Sequence, residues 1–221
     1  MSIVSITRVA GDRVREAVQQ AIDLVDGLSV VEPGMTVLIK PNLVKPSPSG
    51  SGVVTDARVT AAVIEAVLAH TPGRVIIGEG SSVGYDLPGR VDSLTAMEVN
   101  GVADVARRHG LAMVDLNHDD PVEVHAPDAY VMHTFNVART AYEADVIINL
   151  PVLKTHNRTG ITCGLKNMKG VLPGHEKRRT HTLGLDRGIV DLNRVMKPHL
   201  TIVDCLVGLG GTHTREEDRM E

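Results

Sequence analysis

Lys154, His156, Lys166 and Asn167 stand close together, just after an apolar run, Val146-Ile147-Ile148, that reads as a buried strand. From Lys154 to Arg179 seven Lys/Arg face one acid, Glu176, in a chain whose net charge is −4. An imbalance of that kind marks a local anion site in an otherwise acidic protein. Lys154 and Lys166 sit beside apolar residues and glycines and read as functional, whereas Lys177-Arg178-Arg179 reads as a solvated charge block. If Lys40, Lys154 and Lys166 share one cleft, their mutual repulsion and desolvation pull a lysine below its ordinary value of about 10.4. Neutral near pH 7, it is a base or an amine nucleophile towards a carbonyl. Charged, it holds a carboxylate or phosphate. His156 is the natural proton-transfer group at that pH.

These residues need strand ends to position them, because ligands of open α/β sheets bind beyond the carboxyl ends of strands. Thr36 to Ile39 is a buried strand that ends at Lys40-Pro41-Asn42, much as Val146 to Ile148 ends at Asn149 and leads to Lys154. Arg74 to Ile77 ends in Gly78-Glu79-Gly80, where Glu79 is an acid/base group, a metal ligand or a turn residue. Thr55-Asp56 opens a helix, and Asp56 either caps it or faces the site. Lys45 to Gly52 (KPSPSGSG) has the composition of a lid or substrate loop.

The remaining elements follow from hydrophobic period and punctuation. Ser2 to Val9 reads as a first strand. Val14, Val18, Ile22 and Val25 mark a helix that stops at Gly27. Further helices are expected at Ala57–His70, Leu94–His109, Thr140–Glu143 and Asp186–Met196, the last with Ile189, Val190 and Val195 inward. Leu111–Leu116 and Leu200–Val203 read as strands, and His175–Arg179 as a charged turn. Val122–His125 and Val131–His133 alternate with period two, a small antiparallel excursion with both histidines on its polar face. Strands alternating with helices predict a three-layer α/β fold, a mostly parallel sheet flanked by helices, Rossmann-like. Residues 1–221 read as a single α/β domain. It reads as lacking a C-terminal portion, because glycines and a solvated Arg215–Asp218 tail follow the last strand.

Composition narrows the classes. With no Trp and one Phe, the core must be aliphatic, which suits a parallel sheet covered on both faces. Scarce aromatics and the acidic total argue against nucleic acid as a partner. No run approaches the ~18 apolar residues of a membrane span, and no signal peptide is visible. The chain is therefore expected to be cytoplasmic, with no membrane partner; a homodimer is compatible with it. Cys163 and Cys205 read as free thiols. Two cysteines cannot supply the four ligands of an iron–sulfur cluster.

The segments VLIKPN (Val37–Asn42), Thr55-Asp56, VIIGEG (Val75–Gly80), DVIINLPVLKTH (Asp145–His156) and GLKNMKG (Gly164–Gly170) resemble an uncharacterised domain family often called an iron–sulfur-centre protein. Many of its members carry a ferredoxin-like cluster segment, which this chain does not have. Ala144 to Gly174, with Thr180-His181, is also similar to a segment of the nickel-pincer lactate racemase family. That resemblance implies a catalytic histidine at His156, a cofactor-tethering lysine at Lys166 and a metal-ligand histidine near His181, hence a metal or nickel-pincer-like cofactor. The chain departs from that family's pattern at Thr155 and at Gly164-Leu165.

The sequence thus predicts an isomerase- or oxidoreductase-like enzyme. It would act on a small anionic metabolite, carboxylate- or phosphate-bearing, by proton or hydride transfer. His156, Lys166 and Glu79 are the candidate catalytic residues; Lys40, Asn42, Asp56, Asn149, Lys154 and Asn167 are the candidate ligand contacts. The alternative is a non-catalytic anion- or cofactor-binding module serving a redox partner.

Overall fold

Apolar positions spaced by two and by three to four alternate along the chain. In the computed structural model, which describes residues 3–82 and 92–211 and the backbone of 219–220, they become alternating strands and helices. In order these are α1 (Val14–Asp23), β1 (Thr36–Pro41), α2 (Ala57–Leu68), β2 (Arg74–Glu79), α3 (Ser93–Asn100), α4 (Val102–Arg108) and β3 (Ala112–Asp115). Then come β4 (Pro121–His125), β5 (Thr134–Ala138), α5 (Arg139–Tyr142), β6 (Val146–Leu150), β7 (Val152–His156), β8 (Gly160–Thr162) and α6 (Gly164–Asn167). A 3-10 turn (Met168–Val171), α7 (Gly174–Leu183), α8 (Leu185–Val195), β9 (Leu200–Thr201), β10 (Asp204–Leu209) and β11 (Arg219–Met220) complete the series. The expected Arg215–Asp218 tail lies outside the described residues.

Five strands form a parallel sheet in the order β3-β2-β1-β6-β9. This is Rossmann-type winding, with the order reversing between β1 and β6. Alternate side chains sort to the two faces, as a pleated strand requires. Val37, Ile39, Val75, Ile77, Val146 and Ile148 bury against the helical layer of α1 to α4. Leu38, Ile76 and Ile147 bury against Phe135 and Val137 of β5, Met168, Val171 and Leu192 of α8. Coverage on both faces explains why these strands are continuously apolar. Among the described residues no helix is long and apolar enough to cross a membrane.

Several expectations are corrected. Residues 3–10 pair with no strand; Ser5 Oγ and Thr7 Oγ1 instead donate to carbonyls of α1, leaving Val4 and Ile6 exposed. The helix expected over Leu94–His109 is two helices, because Gly101 (φ 92°) closes α3 in a left-handed conformation. The second strand of the antiparallel pair begins at Thr134, not Val131. The N–H groups of Tyr130, Val131 and Met132 are engaged by the Asp191 carboxylate of α8 (2.8, 2.9 and 3.1 Å), so they are not available to a ladder. Val190 faces out of α8 while Ile189 and Leu192 face in. His175–Arg179 lies inside α7.

The largest correction follows Pro151. The polar run after it is a strand, β7, which leaves the main sheet and joins a second one in the order β11-β10-β7-β8. Lys154 and His156 occupy its buried face while Leu153 is exposed, an inverted pattern that conceals the strand in the sequence.

Candidate functional site

The site is built on the switch between β1 and β6. At the end of β1 the Lys40 side chain is fully buried, and its Nζ donates to Glu79 Oε2 at the end of β2 (2.7 Å) and to the Pro41 carbonyl (3.2 Å). Burial pushes the Lys40 ammonium below its ordinary pKa and the Glu79 carboxyl above its own, each opposed by the other's charge. The 3-10 turn lies directly on this pair: a Cβ at Gly170 would overlap Glu79 Oε1 and Lys40 Nζ. Lys177 of α7 is also buried, against the expectation of a solvated block. Its ammonium donates to the Gly80 carbonyl (2.8 Å), the Ser81 carbonyl (3.0 Å) and Asn117 Oδ1, fixing the turn that leaves β2.

The facing wall comes from β7, the β7–β8 turn and α6. His156 Nδ1 accepts from the backbone N–H groups of Arg158 (3.1 Å) and Thr159 (3.2 Å), so the proton of the neutral ring is inferred to lie on Nε2. Asn149, at the end of β6, donates to the Gly164 carbonyl (3.0 Å) and accepts from Asn167 Nδ2 (2.8 Å). These two amide contacts seat α6 on the sheet and thereby orient Lys166. Lys154 donates to the Val53 carbonyl. Lys166 and Lys169 make no hydrogen bond or ion pair among the described residues.

These groups shape one another's ionisation. Burial, then the charge of Lys166, lowers Lys154 to about 7. Burial lowers Lys166 to about 8. Burial, then Lys166 and Lys177, lowers Lys169 to about 7. His181, whose Nδ1 lies 3.3 Å from Arg158 Nη1, is lowered to about 4 by burial and by Lys169, Arg158 and Lys166, so its imidazole is neutral.

Between the walls is a cavity of about 370 Å³. Of the residues singled out in the sequence, Asn42, Glu79, His156, Lys166, Asn167 and His181 line it. Lys40, Lys154 and Asn149 do not line it: Lys40 pairs with Glu79, Asn149 with Asn167, and Lys154 lies near Lys166. Asp56 is not brought to it. Its carboxylate caps α2 by accepting from Arg58 N (2.8 Å), pairs with the Arg58 guanidinium (2.9 Å), and is thereby occupied. Arg158, Lys169, Gly170 and Lys177 also line the cavity and were missed as site residues. For Lys169 a signal existed, since it falls one helical turn after Lys166. For Lys177 the surrounding charge run hid it. Two amide oxygens at the site, Asn42 Oδ1 and Asn167 Oδ1, are buried without a hydrogen-bond partner. A larger depression of about 650 Å³ lies along α1 between Arg15 and Leu24 and holds no comparable cluster.

The donor set does not compose a metal centre: among the described residues no three His, Cys, Asp or Glu side chains are grouped to hold an ion. A nickel-pincer-like group would find the Lys166 amine and the neutral His181 imidazole here and would have to bring its other donors.

The chain belongs to the family described as a domain of unknown function, DUF362, whose match spans residues 37–220. It is 28% identical over 197 residues to the thylakoid-associated protein sll1697 of Synechocystis, aligning over 86% of this chain and 58% of that protein. Its fold resembles the lactate racemase apoprotein of Thermoanaerobacterium thermosaccharolyticum (TM-score 0.54, 13% identity, 89% of this chain and 48% of that one). It also resembles a protein of Thermotoga maritima (TM-score 0.52, 11% identity, 93% and 53%). The chain thus spans little more than half the length of the curated relative and about half of each solved structure.

Proposed function

We propose that this DUF362 member is an enzyme acting on a small carboxylate- or phosphate-bearing metabolite by proton or hydride transfer in the cavity at the switch point. The observation that carries this reading is a pair of lysines, Lys169 buried and Lys166 half-buried, that face one cavity with no protein acceptor among the described residues. An ammonium held away from water without a partner is costly, and an anionic ligand removes that cost. Proton transfer is the simpler chemistry. A lysine with a pKa of about 7 to 8 is partly neutral at physiological pH and can take a proton from carbon next to a carboxyl or carbonyl group. His156, pinned at Nδ1 by two backbone amides, lines the same cavity and is the acid/base partner of the lysines in this reading. Glu79 and Lys40 set the local field, and Asn42, Asn149, Lys154 and Asn167 position ligand and lysines.

The second reading, a non-catalytic anion- or cofactor-binding module, uses the same lysines in permanently charged form. Deuterium exchange separates the two. In D₂O, a panel of small carboxylates is followed by proton NMR for loss of the signal of the carbon-bound hydrogen. Exchange in the wild type, abolished in Lys166→Ala and His156→Ala, supports the enzyme. Ligand binding without exchange or any turnover of the panel supports the module.

A further inference from the structure

Besides the cationic cavity, Lys166 borders a second one. This is an apolar groove of about 480 Å³ between Ile161 of β8, Leu165 of α6, Ile189 and Val190 of α8, and Pro198. Ile161 and Leu165 are more than half exposed, and Val190 is 39% exposed, so large apolar side chains here are left facing water. A contiguous apolar concavity of this size, with few polar groups, is the usual form of a small-molecule site. Asp186 stands exposed at its rim. Asn193 donates to the Leu165 and Ile189 carbonyls (2.9 and 2.8 Å), while its Oδ1 is buried without a partner.

We infer that the ligand of the cationic cleft is an amphiphile. Its carboxylate or phosphate head is held at Lys166 and Lys169, and an aliphatic or aromatic portion lies in the groove. The inference rests on the anion reading of the cleft. Lys166 selects the occupant, because it is the lining residue common to both cavities. Anything apolar seated in the groove therefore lies beside an ammonium that has no protein acceptor among the described residues. A purely apolar polypeptide segment would cover that charge and leave it unpaired, which is unfavourable. A molecule that carries its own anion next to its apolar part satisfies both cavities at once.

The test is calorimetric titration of the full chain with straight-chain carboxylates from acetate to octanoate, kept below their micellar range, with inorganic phosphate as the head-only control. Affinity should rise roughly two- to fourfold per added methylene once the chain reaches the groove. Val190→Asp should remove that rise and leave phosphate and acetate binding as in the wild type. Ile161→Ser, on the opposite wall, repeats the test independently of whether Val190→Asp folds. Lys166→Met should weaken every member of the series. If phosphate and acetate fail to bind the wild type, the anion reading of the cleft fails. If they bind but affinity is flat with chain length, or the rise persists in both groove variants, the groove assignment is overturned and the cleft reading stands. Sedimentation velocity supplies the remaining outcome: a dimer dissociated by Val190→Asp would mean that a second copy covers the groove, and would also overturn the inference.

Discussion

The two walls of the cleft use the same residue for opposite purposes. On the β1–β2 side, Lys40 and Lys177 are each satisfied by protein oxygens: a carboxylate and a carbonyl for one, two carbonyls and an amide for the other. On the α6 side, Lys166 and Lys169 have no such acceptors among the described residues. Lys40, Lys177 and Lys169 are all buried and Lys166 is half-buried, so burial alone does not separate the two walls. The difference is where the compensating negative charge comes from. The first wall carries its own and is therefore part of the fold. On the proposed function the second leaves it to a ligand, and without one its lysines lose charge readily, with pKa values of about 8 and about 7.

The sharpest way to break this contrast is to remove a lysine from each wall. Lys40→Met should cost about 3–5 kcal/mol in urea unfolding, because it strands Glu79 in the interior. Lys169→Met should leave the ligand-free protein equally or more stable. A comparable loss for both variants would mean that the second wall is structural too. Next in size is ligand affinity: Lys169→Met should weaken phosphate binding by the ~1.5–3 kcal/mol of a charged hydrogen bond, read by calorimetry.

The same lysines give a pH signature. The folded pKa values of Lys169 and Lys166, about 7 and about 8, lie below the unfolded value. Between pH 7 and about 10 the unfolded chain therefore binds more protons, and the stability of the ligand-free protein rises with pH. Anion affinity should fall over the range where these lysines discharge, and binding near pH 8 should take up protons, visible as a buffer-dependent heat. Gly170→Ala should cost ~1–3 kcal/mol by forcing a methyl group into the Lys40–Glu79 pair, a loss that thermal melting reads directly. The smallest effect belongs to Asp56→Ala: about 1 kcal/mol for the lost helix cap, with phosphate affinity unchanged.

Where the sequence was readable, the reason is that local pattern and tertiary role agreed. The strands ending at Lys40, Glu79 and Asn149 are apolar on both faces and end in turn chemistry, so the parallel sheet and its carboxyl edge could be located. Strand β7 could not, because its inward side chains are Lys154 and His156; a buried polar face looks like a loop when read for hydrophobic period. Lys177 was illegible for a related reason. Its neighbours are charged, and only the packing of α7 against the turn after β2 shows that one of them points inward. Asp56 offered two readings, and the contact that decides between them, Arg58, is a local one that the cap motif already contained.

Asp191 offers a consequence of a different kind. Burial alone would raise its pKa, but the three backbone N–H groups of residues 130–132 hold it below the ordinary carboxylate range. A group shifted that way stabilises the protein above its unfolded pKa of about 4 and stops doing so as acid protonates it. The segment from Ala126 to His133 is thus clasped to α8 by this ionised oxygen pair, together with Arg194, which donates to the Asp128 carbonyl and lies over the Tyr130 ring. Neutralising that clasp, by acid or by Asp191→Asn, should make this stretch more open to a protease than it is in the wild type at neutral pH.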